Sequence, residues 1–147
     1  MTTHAVIRRG CAAYADYFGS LSRENVGDLE NLSVTDFYFE DPFNKIAGRD
    51  RIIKMFDHMF DQVADPRFEI LSVSWSETAP VAILKWRFTG DGGRLGKIDF
   101  PGMSEITFND EGLATHHVDY WDSGTYFYAK LPLLKQVINF IKKRMNA

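Results

Sequence analysis

Asp41 closes a run in which acidic and aromatic side chains alternate, Asp36-Phe37-Tyr38-Phe39-Glu40-Asp41, followed by Pro42-Phe43. In a strand of period two, Phe37, Phe39 and Asp41 share one face. With that face turned inward, Asp41 is a partly desolvated carboxylate whose pKa rises towards that of a useful base. Tyr17 stands 24 residues earlier in a helical stretch. Near the other end of the chain, His117, Asp119 and Trp121 alternate with His116, Val118 and Tyr120. A same-face His–Asp pair can orient an imidazole and relay protons. A carboxylate of raised pKa and a His–Asp pair are residue types of general acid–base chemistry.

Each feature also has an ordinary structural reading. Asp-Pro is a common strand-to-turn junction, and a helical tyrosine often bonds a backbone carbonyl in the core. Same-face charged pairs on strands also occur as solvated cross-strand pairs. His117 and Asp119 supply only two potential metal ligands and no zinc-motif spacing is present, so no metal and no cofactor are expected. The glycine-rich stretch from Gly90 to Gly96 lies between two strand patterns, which favours a hairpin loop over a phosphate cradle.

The elements that must position these residues follow from periodicity. Val6 to Leu21 predicts a helix, Arg23 to Leu32 a short second one capped by Ser22, and Asp50 to Val63 a third with Ile52, Ile53, Phe56, Met59, Phe60 and Val63 on its buried face, stopped by Asp65-Pro66. Pro42 to Gly48 reads as a turn. Strands are predicted for Arg67 to Trp75, Val81 to Thr89, Lys97 to Phe108 and Leu113 to Trp121, joined by connections short enough to make them antiparallel neighbours. Helical periodicity resumes from Thr125 to Leu131 and again from Pro132. The order predicts an α+β fold in which N-terminal helices cover a strongly curved, mostly antiparallel sheet, with a C-terminal helical tail. Trp75, Trp86, Phe88, Phe100 and Phe108 are candidates for lining the cavity of such a cone, though strand aromatics are more often core. The tail sets Leu134, Val137, Ile138 and Ile141 against Lys135, Lys142, Lys143 and Arg144. Docking on its own domain is expected, with a membrane surface or a partner as the alternative.

At 147 residues the chain predicts one domain over 1–147. A net charge of −3 supplies no electrostatic footprint for nucleic acid. The single Cys11 leaves no intramolecular disulfide, and the Met1 to Arg9 segment has no long apolar run, so a cytoplasmic protein without stable membrane insertion is expected.

The order of elements, with Glu40-Asp41-Pro42 followed by Gly48 and the Ile52 to Phe56 helix, resembles the nuclear transport factor 2-like (cystatin-like) superfamily, which includes ketosteroid isomerase and the SnoaL-like polyketide cyclases. That resemblance covers Cys11 to Trp121. It implies that Asp41 matches the proton-shuttling aspartate and Tyr17 the oxyanion-hole tyrosine, whereas Ser104 stands where the isomerase has a second acid. It also implies that His117, Asp119 and Trp121 face the cavity. Phe37, Phe39, Met55, Trp86, Ser104, Phe108 and Trp121 are then the expected contacts for a small hydrophobic molecule. Asp119-Tyr120-Trp121-Asp122 with Lys130-Leu131-Pro132-Leu133-Leu134 resembles an uncharacterised bacterial subgroup of that superfamily. A homodimer paired through the sheet's outer face is expected, as is common there. The resemblance implies cofactor-independent proton transfer, of isomerase, cyclase or dehydratase type, on a hydrophobic carbonyl compound, with Asp41 as base, Tyr17 donating to the developing enolate, and His117 with Asp119 returning protons. The competing functions are a non-catalytic carrier or sensor of an apolar ligand, and an interaction module.

Overall fold

Residues 3–146 are described by the computed structural model of the chain. Met1, Thr2 and Ala147 lie outside them, and with them the start of the Met1 to Arg9 segment and both ends of the expected domain. The first apolar stripe forms α1 (Thr3–Gly19), which buries Ile7, Cys11, Tyr14, Tyr17 and Phe18 along one face. Ser22 and Asn25 exchange side-chain to backbone hydrogen bonds ahead of a 3-10 turn, Val26–Asn31, shorter than the predicted Arg23 to Leu32 helix. The alternating run is β1 (Ser33–Glu40), and α2 (Arg49–Gln62) buries Ile52 and Phe56.

Between them the predicted turn contains a short strand, β2 (Lys45–Ala47), antiparallel to β1. The four later strands are β3 (Ala64–Trp75), β4 (Val81–Asp91), β5 (Lys97–Phe108) and β6 (Ala114–Tyr120), each antiparallel to the next. Asp65-Pro66 does not mark a break before the strand but lies inside β3, with Asp65 in the left-handed region at φ 51°. The Gly90 to Gly96 stretch closes the β4–β5 hairpin: Gly90 and Asp91 still pair within β4, and Gly92 to Gly96 form the loop.

Strand order is β2-β1-β6-β5-β4-β3, and β1 runs parallel to β6. The sheet is therefore mixed and curled without closing, and α1 and α2 pack on its inner face. Gly10 allows the closest approach: a Cβ there would collide with the Gly112 carbonyl in the β5–β6 turn, so α1 sits tight against the sheet. The interior is filled by aromatic rings, with Phe18 in edge contact with Phe56 and Phe68, and Tyr14 with Phe37 and Phe108. Such rings each contribute on the order of 2 kcal/mol by leaving water.

After β6 come a one-turn α3 (Ser123–Tyr126), capped by Asp122, a 3-10 turn (Tyr128–Lys130) and α4 (Pro132–Met145). Docking of this last helix on the domain is not what the structure has. No α4 residue is buried, and its main packing is against the preceding Tyr128–Lys130 turn.

Candidate active site

Register builds the site. Phe39 pairs with His117 and Glu40 with Val118 across the parallel β1–β6 strands, and one step further both strands present an inward carboxylate, Asp41 and Asp119. On the other side of β6, Asp119 pairs with Ser104 of β5. Period-two alternation thus gathers His117, Asp119, Ser104 and Asp41 at one end of the curled sheet.

Five side chains form one continuous chain of hydrogen bonds. The Tyr14 hydroxyl is 2.7 Å from His117 Nδ1, and His117 Nε2 is 2.6 Å from Asp119 Oδ1. Ser104 Oγ donates to the same carboxylate oxygen at 2.5 Å and accepts from Trp86 Nε1 at 2.8 Å. Its direction follows from Tyr14, which is fully buried with a pKa raised well above the ordinary tyrosine value, first by burial and then by the Asp119 and Tyr17 charges. A neutral buried hydroxyl whose one partner is Nδ1 donates to it, so Nε2 carries the imidazole proton and donates to Asp119. Every donor in the chain points towards Asp119 Oδ1. Among the described residues no donor reaches Oδ2, and the Asp119 side chain keeps 14% exposure against 3% for His117. Gly102 makes room for this arrangement, because a Cβ there would collide with the Trp86 ring.

Asp41 is held differently. Its Oδ1 accepts from the Phe43 and Asn44 backbone N–H groups at 2.8 and 2.6 Å, and the Asn44 side-chain amide reaches both of its oxygens at 3.1 and 3.3 Å. Burial nevertheless pushes its pKa up; the turn hydrogen bonds oppose that and the Asp119 charge adds to it. Both carboxylates line one open groove of about 490 Å³ with Glu40, Pro42, Val118, Tyr120, Trp121 and Asp122. Aromatic rings border it: Trp121 stacks on Phe100 at 4.2 Å and meets Phe43 edge-on at 5.6 Å, while Phe43 touches Phe127 at 5.0 Å.

The predicted residues therefore separate into four sets. Trp86, Ser104, His117 and Asp119 are joined by hydrogen bonds, and Asp41 and Trp121 share the groove with Asp119. Tyr17 stands apart. Its hydroxyl donates to the Val26 carbonyl at 2.7 Å, which ties α1 to the 3-10 turn, and burial pushes its pKa up. Tyr14, one helical turn earlier, is the tyrosine that reaches the site. Phe37, Phe39 and Phe108 are buried in the core, and Met55 packs against that core from α2; none of the four lines the groove. The sequence reading missed Tyr14 and also Phe43 and Phe127, whose signal was their aromatic character beside Asp41 and after Trp121. Among the described residues no three His, Cys, Asp or Glu side chains are grouped as metal ligands.

With this geometry in place, the match to a family model is decisive: the SnoaL-like domain model covers residues 8–117. The chain belongs to the SnoaL-like domain family. No curated protein matches it. Solved structures share the fold of this SnoaL-like protein at low identity. A hypothetical protein with a ketosteroid isomerase-like fold from Catenulispora acidiphila, in complex with trimethylamine, is 14% identical with a TM-score of 0.66, over 82% of this chain and 90% of the other. An LEH-like epoxide hydrolase from M. tuberculosis is 17% identical with a TM-score of 0.64, over 94% and 96%. A proposed SnoaL-like polyketide cyclase from Shewanella putrefaciens is 16% identical with a TM-score of 0.64, over 86% and 96%. At such identities the likeness establishes the nuclear transport factor 2-like fold and leaves chemistry to the site.

Proposed function

We propose that this SnoaL-like protein catalyses cofactor-independent proton transfer on a small hydrophobic carbonyl compound, of the isomerase, cyclase or dehydratase kind, in the groove between Asp41 and Asp119. One observation carries the reading: the donors of a buried hydrogen-bond chain converge on Asp119 Oδ1 while Oδ2 stays free beside the groove. A carboxylate fixed through one oxygen presents the other in a set direction, which is what proton abstraction from carbon needs. Asp119 Oδ2 takes the proton from the carbon next to the carbonyl; the C–H electron pair forms the enolate C=C bond and the carbonyl π pair moves onto the oxygen. Asp41, protonated more readily than an ordinary aspartate, donates a hydrogen bond or a proton to that oxygen. The enolate then regains a proton at another carbon, closes a ring, or expels a leaving group.

His117 and Ser104 orient Asp119, and Tyr14 sets the imidazole tautomer. The Trp121, Phe100 and Phe43 rings support an apolar substrate. A sequestering carrier is less well supported, because the core is packed with Phe37, Phe39 and Phe56 and the groove at the carboxylates is open rather than enclosed. The test is deuterium incorporation from heavy water into a panel of small hydrophobic ketones and ketoesters, followed by mass spectrometry. Wild-type protein is expected to label the carbon next to the carbonyl of at least one compound, and Asp119→Asn to slow labelling by at least about a hundredfold. Labelling that survives Asp119→Asn unchanged overturns the assignment.

A further inference from the structure

The last helix is the largest part of the molecule that the site does not use. Leu133, Val137, Phe140 and Ile141 of α4 are each more than half exposed, Leu133 at 80%, and Leu134 and Met145 are exposed as well. At 100° per residue these side chains, with half-buried Ile138, fill an arc of roughly 160° along a helix about 21 Å long. Lys135 and Lys142 fall at one border of that arc and Lys143 at the other, while Arg144 lies over the Phe140 ring at 5.2 Å. Lys142 also reaches Thr125 Oγ1 at 3.1 Å, so the helix is attached along one edge and open on the apolar side.

Charge makes the same segment distinct. All 20 acidic residues precede Ser123, whereas Lys130, Lys135, Lys142, Lys143 and Arg144 follow it. A cationic tail thus extends from an acidic body. We propose that α4 is an interfacial helix that docks on the surface of an anionic lipid bilayer, its apolar arc among the acyl chains and its border lysines among the headgroups. The lysines flank both edges of the arc and Arg144 lies within it over the Phe140 ring, where long stems can lie along apolar surface and raise their charges to a headgroup layer. An acidic protein partner would be met on one side only. Among the described residues no helix is long and apolar enough to cross a membrane, so the association is peripheral. The helix continues directly from the Tyr128–Lys130 turn whose neighbour Phe127 touches Phe43 at the groove, which places the groove's aromatic border close to the bilayer.

Co-sedimentation of the full chain with vesicles of phosphatidylcholine, alone or mixed with phosphatidylglycerol, tests this at about 100 mM salt. The protein is expected to pellet with the mixed vesicles and at least about tenfold less with phosphatidylcholine alone. Val137→Glu with Ile141→Glu should abolish binding to both. Because these side chains are exposed, the thermal midpoint should not change. Lys142→Glu with Lys143→Glu should weaken binding to the anionic vesicles selectively. No pelleting with anionic vesicles overturns the proposal. So does a dimer in sedimentation velocity that the Val137→Glu/Ile141→Glu variant dissociates, since α4 would then be covered by a second copy.

Discussion

Two neighbouring strands end side by side, each followed or closed by an inward carboxylate, Asp41 and Asp119, and these two live in opposite surroundings. At the end of β1, Asp41 is held by local groups, the Phe43 and Asn44 N–H of the turn that follows it, and both its oxygens are engaged. On β6, Asp119 is held by its same-face neighbour His117, with Tyr14 of α1 behind it, and by Ser104 of β5, and one oxygen remains free. Asp-Pro followed by a turn is the motif that looks like a catalytic signature, yet much of its hydrogen bonding builds a turn. The less conspicuous His-Val-Asp on the last strand has the geometry of a base. Local motifs satisfy local backbone needs first, whereas an oriented functional group requires partners from several elements.

This contrast can be broken at the remote end of the Asp119 chain. Gly102→Ala should force the Trp86 indole off Ser104, with a loss of about 1–3 kcal/mol of stability and a fall in any deuterium-labelling rate, read by denaturant unfolding and mass spectrometry. An unchanged rate would detach Trp86 and Ser104 from the site. The two tyrosines of α1 sharpen the contrast. Tyr14→Phe leaves His117 Nδ1 without its donor and should lower the rate about tenfold, whereas Tyr17→Phe removes only the bond to the Val26 carbonyl. The second variant should lose about 1–3 kcal/mol and keep its rate.

The smallest expected effect concerns Asp41. Its pKa in the fold lies above the ordinary 3.8, so its stabilising contribution is complete below that value and is lost as pH rises through the raised one. Asparagine keeps the carbonyl acceptor for the turn without the charge. Asp41→Asn should therefore match wild type in acid and gain thermal stability relative to it towards neutral pH. A gain of the same size at every pH would count against burial as the cause. We also propose a homodimer through the outer sheet face, where Met103 and Tyr120 pair across β5 and β6 and are exposed, and sedimentation at micromolar concentration should show it.

Much of this organisation is legible in the sequence because burial imposes periodicity. The α1, α2 and β3 to β6 segments announce themselves by spacings of 3.6 and 2 residues, and alternation on β6 correctly groups His117 with Asp119. What is not legible is long-range or very short. The three residues of β2 are too few to carry a pattern. The parallel pairing of β1 with β6 joins segments some 80 residues apart with no turn to signal it. Tyr14 and Tyr17 lie on the same buried face, so periodicity could not say which hydroxyl finds an imidazole and which a carbonyl. The fate of α4 was equally hidden, since an apolar arc records that something should cover it and not what.

The roles given to the two carboxylates meet their most direct test in deuterium labelling of one carbonyl compound by wild type, Asp119→Asn and Asp41→Asn, followed from acid to alkaline pH. The account predicts that Asp119→Asn loses at least about a hundredfold at every pH. It predicts that Asp41→Asn stays within about tenfold of wild type and loses the decline that wild type shows as Asp41 ionises. The reverse order, with Asp41→Asn inactive and Asp119→Asn close to wild type, would contradict it.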